Sequence, residues 1–188
     1  MQPDPFRDQP VVKGDRLRLE PVGPEHFDGI WEMLNDAEGA RMTGSTRTFE
    51  EEFARSWVAT RQDHDDRADF AIVRLEDDEV LGEVVLNELD ADSARCNFRI
   101  GLRGPEVFDR GYGTEATGLV LDYAFDTVGL HRVELEVYDF NGRGQRCYEK
   151  AGFVQEGVLR ESRFLDRRWV DTVVMGILRT DPRPRVER

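Results

Sequence analysis

The chain is predicted to fold as one mixed α/β domain of the α+β kind, a central, mostly antiparallel sheet of about seven strands with helices on both faces. Three observations predict it. A length of 188 residues fits a single compact domain with a real core and leaves little room for a second. Apolar residues recur with a helical period at 27–34 and 116–124, but with period two at 70–75, 80–86 and 133–137. The order is strand, two helices, a three-strand meander, helix, strand, helix and hairpin, which lacks the regular alternation of a doubly wound nucleotide fold.

Residues 1–15 hold three prolines and no periodicity, so a flexible N-terminal arm is expected before a domain at 16–179. Leu17, Leu19 and Pro21 alternate with polar neighbours as a first strand. Pro24 suits the first turn of a helix whose face is Phe27, Ile30, Trp31 and Leu34. Thr48 with Glu51 reads as a capping box for a second helix, whose Phe49, Phe53 and Trp57 are expected in the core. Strands follow at 70–75, 80–86 and 95–102, then a helix at 114–127 and a strand marked by Val133, Leu135 and Val137. A short helix at 143–151 stops at Gly152. A hairpin of 153–165 and 168–178 turns near Asp166, and the tail at 180–188, with two prolines and three arginines, is expected to be disordered.

Composition excludes several classes. A net charge of -13 argues against a nucleic-acid-binding protein. No run of 18 apolar residues suggests a membrane span, and the N-terminus does not read as a secretion signal. Two cysteines, Cys96 and Cys147, are too few for a disulfide framework, so a cytoplasmic protein with free thiols is expected. Charge is uneven along the chain: fifteen acids against four arginines between residues 50 and 92, but eleven bases against seven acids from 143 to 188. The acidic stretch suits either a cationic partner or a solvated surface.

The most informative stretch is Phe108-Asp109-Arg110-Gly111-Tyr112-Gly113-Thr114, a glycine-punctuated turn between a strand and a helix. Gly111 and Gly113 leave the backbone uncovered, and the amides opening the following helix suit a phosphate or pyrophosphate. The motif lacks the fuller glycine pattern of a dinucleotide site. His26, His64 and His131 are scattered without metal-ligand spacing, so no metal is expected. Cys147 has no histidine placed to activate it as a nucleophile.

These residues resemble the GNAT N-acetyltransferases. Gly104-Pro105-Glu106 with Arg110-Gly111-Tyr112-Gly113-Thr114-Glu115-Ala116 resembles that family's acyl-CoA pyrophosphate loop. Leu130-His131-Arg132-Val133-Glu134, Asn141, Tyr148-Glu149-Lys150-Ala151-Gly152-Phe153 and Glu156-Gly157-Val158-Leu159-Arg160 extend the match, from about Leu17 to Leu178. The nearest branch is the Rim type, which includes ribosomal-protein N-terminal alanine acetyltransferases. Three positions bear on that placing. Phe108 replaces the loop's leading Gln or Arg, as is familiar in the Rim branch; Gly144 stands where a small hydroxyl residue is common; and Tyr148 stands where many Rim proteins have Leu.

The resemblance implies attack of a neutral primary amine, on a protein N-terminus or a small molecule, on the thioester of acetyl-CoA. It implies that the amides of Arg110, Gly111, Tyr112, Gly113 and Thr114 hold the pyrophosphate. The pantetheine arm is then expected to lie against 98–102, with a backbone N–H near Ile100, Gly101 and Leu102 polarising the carbonyl. Asn141 would contact that arm or cap a helix, and Arg143 and Arg146, with Lys150, would meet the outlying phosphate or simply face solvent. Tyr148 matches the family's general acid, and Glu83 is the candidate base, facing away from Val84 and Leu86 if its strand alternates. A water relay in place of Glu83, a silent acyl-CoA-binding protein and a nucleotide-binding domain stay open as alternatives. The partners expected are acetyl-CoA and an amine, with no nucleic acid or membrane, in a monomer or homodimer.

Overall fold

The computed structural model describes residues 6–45 and 48–184. Its strands are β1 (Val12–Lys13), β2 (Leu17–Pro21), β3 (Ala68–Arg74), β4 (Val80–Asp90), β5 (Arg95–Leu102), β6 (Arg132–Tyr138), β7 (Val154–Leu165) and β8 (Arg168–Leu178). The helices are α1 (Phe27–Leu34), α2 (Ala37–Thr43), α3 (Glu51–Ala59), α4 (Tyr112–Asp122) and α5 (Gly142–Ala151). One sheet runs in the order β1-β2-β3-β4-β5-β6-β8-β7, antiparallel throughout except between β5 and β6. The strand beyond the expected seven is β1, two residues that pair with Leu19 and Arg18 of β2.

The sheet buries apolar side chains on both faces because β3 and β4 read as continuous hydrophobic runs. Leu17, Phe70, Ile72, Val84, Phe98, Val133 and Met175 pack in one cluster with α4 residues such as Ala116 and Val120. On the opposite face Ala71 and Val73 meet Ile30 of α1 and Ala54 and Val58 of α3. Of the three aromatics expected there, Phe49 and Trp57 pack half-buried against this core, and Phe53 does not. Phe53 is 59% exposed and stacks on Phe49, because Ala54 and Val58 occupy the buried stripe. Nor does Thr48 cap the helix: Glu50 is the N-cap residue, with no side-chain bond to the first turn. The helix after the glycine turn ends at Asp122 and passes into a π-helical turn at Tyr123–Val128.

Both expected loose ends are docked where described. Phe6 is fully buried in the main cluster, and the carbonyl of Asp8 accepts from the Tyr123 hydroxyl at 3.1 Å. An aromatic side chain inside the core outweighs the irregularity that three prolines impose. At the other end Arg183 lies over the Phe125 ring and pairs with Asp122 at 3.0 Å and Asp126 at 3.2 Å. Residues 1–5 and 185–188 lie outside the described chain.

The feature that positions the site is an incomplete pairing. β5 meets β6 only at Arg95↔Arg132, Cys96↔Val133 and Asn97↔Glu134. Beyond those pairs β5 continues against β4 as far as Leu102↔Gly82, and β6 against β8 as far as Tyr138↔Thr172. From Phe98 onward β5 therefore presents an edge with no neighbouring strand among the described residues. Gly82, with φ of 152°, lets β4 approach closely there: a Cβ would lie 2.0 Å from the Gly101 carbonyl oxygen.

Candidate active site

The glycine turn sits at the mouth of this opening. Asp109 and Gly111 both adopt positive φ, 55° and 82°, which swings the chain into α4. The first helical bond runs from Glu115 N to Gly111 O at 3.0 Å. The amides of Tyr112, Gly113 and Thr114 thus lack helical acceptors and carry the positive end of the helix dipole. Gly113 also admits α5: a Cβ there would stand 3.3 Å from Cys147 Sγ.

An anchor that motif spacing does not reveal holds the turn. Arg16, just before β2, donates from Nη1 to the Arg110 carbonyl at 2.9 Å, and its guanidinium lies 4.9 Å over the Tyr112 ring. Its Nε donates to Glu115 Oε2 at 2.9 Å, while Glu115 Oε1 accepts from the amides of Arg16 at 2.8 Å and Leu17 at 3.1 Å. Glu115 is a buried carboxylate in the first turn of α4, satisfied by three donors and by the dipole. One arginine therefore joins the turn, its aromatic residue and its helix to the sheet.

A groove opens between the free edge of β5 and α5. It is lined by Ile100, Gly101 and Leu102 on β5, by Gly111, Tyr112, Gly113 and Thr114 at the turn, and by Asn141, Arg143, Arg146 and Tyr148 on the far side. Gly39, Met42 and Thr43 of α2, a helix that the sequence pattern does not announce, close its rim. Eleven of the thirteen candidate residues thus come together. Arg110 contributes only its carbonyl, to Arg16, and Glu83 stands behind β5.

The individual side chains differ in their commitments. Asn141 Oδ1 accepts from Gly144 N at 2.9 Å as the N-cap of α5, and its Nδ2 donates to the Met42 carbonyl at 3.3 Å. Arg143 is bound to Glu38 at 2.8 Å and lies 3.8 Å over the Phe108 ring, whereas Arg146 has no such partner among the described residues. Tyr148 packs edge-on against Phe98 at 5.8 Å and Phe153 at 6.1 Å, and burial pushes its phenol well above the usual range. Cys147 is held by the Thr114 hydroxyl at 3.5 Å, and burial raises its thiol, so the thiolate a nucleophile needs is disfavoured. On the last hairpin, Asp171 is spent on the Glu161 amide at 2.8 Å, and the Trp169 ring lies tilted against Phe164 at 5.3 Å.

Glu83 lies on the face of β4 opposite Val84 and Leu86, paired with Gly101 of β5 and Ala71 of β3. Its Oε2 is sealed from solvent and accepts no hydrogen bond among the described residues. Burial is the main cause that lifts its pKa to about 7; Asp69 adds to the rise, and Arg99, Arg67 and Arg61 oppose it.

Residues 16–154 match the family model of the acetyltransferase (GNAT) domain. The chain belongs to the GNAT acetyltransferases. It is 35% identical over 122 residues to a probable N-acetyltransferase, YjcK, of Bacillus subtilis, covering 64% of this chain and 67% of that one. It is 31% identical over 117 residues to the spermidine N(1)-acetyltransferase of Vibrio cholerae, covering 62% and 67%. The crystal structure of a spermidine N-acetyltransferase from Vibrio cholerae in complex with CoA and spermine superposes with a TM-score of 0.79 at 24% identity, over 88% of this chain and 96% of that one. At that identity the superposition speaks for the fold.

As a GNAT acetyltransferase the protein transfers an acetyl group from acetyl-CoA to an amine. Its groove suits the donor on two counts internal to the structure. The edge of β5 from Phe98 offers backbone groups to an extended arm, and the unmet amides of α4 offer donors to a diphosphate. No helix among the described residues is long and apolar enough to cross a membrane.

Proposed function

We propose that this GNAT acetyltransferase acetylates a primary amine by direct attack on the thioester, with Tyr148 as general acid and Glu83 as general base. The observation that carries the reading is the disposition of these two residues. Tyr148 opens into the groove with a hydroxyl bonded to no described residue, while Glu83 holds a sealed, unbonded carboxylate oxygen on the other side of β5. Glu83, ionised above about pH 7, takes the proton that the nitrogen sheds as the N–C bond forms. A backbone N–H of the Ile100 to Leu102 stretch polarises the carbonyl, and Tyr148 gives its proton to the sulfur as the C–S bond breaks. The burial that raises the Tyr148 phenol keeps it in the protonated form that this step needs. Pyrophosphate is assigned to the turn at 110–114 and the outlying phosphate to Arg146, with Arg143 beside it.

Release of free CoA thiol across a panel of amines tests the reading: amine-dependent release supports it, and CoA binding without release reduces the protein to a binder. The panel includes peptides with N-terminal alanine, the acceptor class of the Rim-type branch that the loop and Phe108 resemble. It also includes spermidine, the acceptor in the name of the Vibrio relative.

A further inference from the structure

We infer that the acceptor of this enzyme is a small zwitterionic amino-carboxylate, its amine meeting Glu83 and its carboxylate meeting the guanidinium of Arg99. This rests on the proposed role of Glu83 and adds the acceptor's second functional group.

The register places both groups on one sheet face. Glu83 is opposite Gly101, and Val85, two residues on, is opposite Arg99, so Glu83 and Arg99 are diagonal neighbours on the face away from Tyr148. Such neighbours have Cβ atoms roughly 7–8 Å apart or somewhat less. Side chains so placed can turn a carboxylate and a guanidinium toward one small molecule that carries an amine and a carboxylate a few bonds apart. Between them Gly101 offers no side chain; a Cβ there would stand 2.7 Å from Met33 Sδ.

The charges point the same way. Arg67 is neutralised by a two-pronged pair with Asp69, both bonds 2.6 Å. Arg61, only 7% exposed, has no carboxylate partner among the described residues: its Nε donates to the Trp57 carbonyl at 2.8 Å, its Nη2 meets His64 Nε2 at 3.2 Å, and it stacks on the Trp57 ring. Arg99 is exposed and forms no ion pair or hydrogen bond with any described residue. Glu83 therefore faces two guanidinium groups, Arg61 and Arg99, that no described carboxylate pairs directly, with Asp69 and Asp66 near Arg61. A polyammonium acceptor is repelled by that field, whereas a carboxylate is drawn to it and fits the fork of an arginine. Of the acid surplus between residues 50 and 92, Glu51, Glu52 and Asp77 lie exposed on α3 and the β3–β4 turn, while Asp66 and Asp69 act on Arg61 and Arg67 and leave Arg99 to a ligand.

The test compares free amino acids with their C-terminal amides and with spermidine, reading kcat/KM by thiol release. The expected result is a preference of about ten- to a hundredfold for the carboxylate over its amide. In Arg99→Gln the ratio falls toward one, and in Arg99→Lys it is partly kept. Calorimetric titration of the preferred amino acid into the enzyme without CoA should show Kd rising by about tenfold in Arg99→Gln. Equal rates for acid and amide, a preference for spermidine, or a ratio untouched by Arg99→Gln overturns the inference. Amine-dependent release seen only with amides or spermidine does so while leaving the acetyltransferase mechanism standing; release with no amine at all removes both.

Discussion

On one side of β5 the ring of Tyr148 is closed in by Phe98 and Phe153; on the other, Glu83 of β4 is ringed by Asp69, Arg67, Arg61 and Arg99. Burial acts on both groups and raises both pKa values, yet the chemical outcomes diverge. The phenol, already a weak acid, becomes fixed in its protonated form. The carboxyl is lifted from its ordinary value near ~4.3 to about 7, where it exchanges protons at neutral pH. The arginines keep that rise from going further. A single sheet thus parts the two groups proposed as proton donor and proton acceptor, giving one an apolar wall and the other a charged one.

The sharpest way to break the comparison is Tyr148→Phe. It should cut kcat by roughly ten- to a hundredfold while leaving the Kd for acetyl-CoA unchanged, as judged by single-turnover kinetics and calorimetry. Full turnover in that variant removes the phenol from the reaction. Glu83→Gln comes next, with a loss of about tenfold in kcat/KM at pH 8. The wild-type profile should rise with pH through about 7, and that rise should vanish in the variant.

The same substitution has a signature in stability. The folded pKa of Glu83 is raised, so its protonated form favours the fold; that contribution is complete below ~4.3 and is lost as pH climbs through about 7. Glu83→Gln should therefore gain about 1–3 kcal/mol relative to wild type between pH 4 and pH 8 in urea titrations. A constant difference across that window would mean that Glu83 titrates alike in the folded and the unfolded chain.

Smaller effects probe the groove's supports. Arg16→Ala removes one of three donors to the buried Glu115 and frees the 110–112 turn. It should cost about 1–2 kcal/mol of stability and raise the acetyl-CoA Kd severalfold without changing the pH profile. The double change of Arg143 and Arg146 to Ala should raise that Kd by a few fold. Arg146→Ala alone should give most of it, since Arg143 is already engaged by Glu38. Identical affinities at two ionic strengths would discard Arg146 as a phosphate contact.

Much of this architecture is legible in the order of the amino acids. Period-two and helical patterns locate the strands and most helices, because each buries one face, and Gly111 and Gly113 announce the turn. The alternation of Val84 and Leu86 with Glu83 foretells which side of the sheet Glu83 occupies. What escapes such patterns depends on contacts distant along the chain. Arg16 precedes Glu115 by ninety-nine positions, and nothing local distinguishes it from the other arginines. Helix α2, with no buried residue of its own, carries no apolar stripe to read. Phe6 reads as part of an irregular arm because its pocket is built by residues far along the chain. The charged ring around Glu83 assembles from the α3–β3 connection, β3 and β5, so only the register brings it together.

The three residue pairs that join β5 to β6 are also a mechanical seam. Five strands lie to one side of it and three to the other, each block hydrogen-bonded within itself over much longer ladders. Two blocks stitched so briefly can breathe as separate cooperative units, and amide exchange should reveal the midline opening before either block melts. Anything lodged in the gap acts as a rivet, so each cycle of loading and release alternately stiffens and loosens the molecule along its centre.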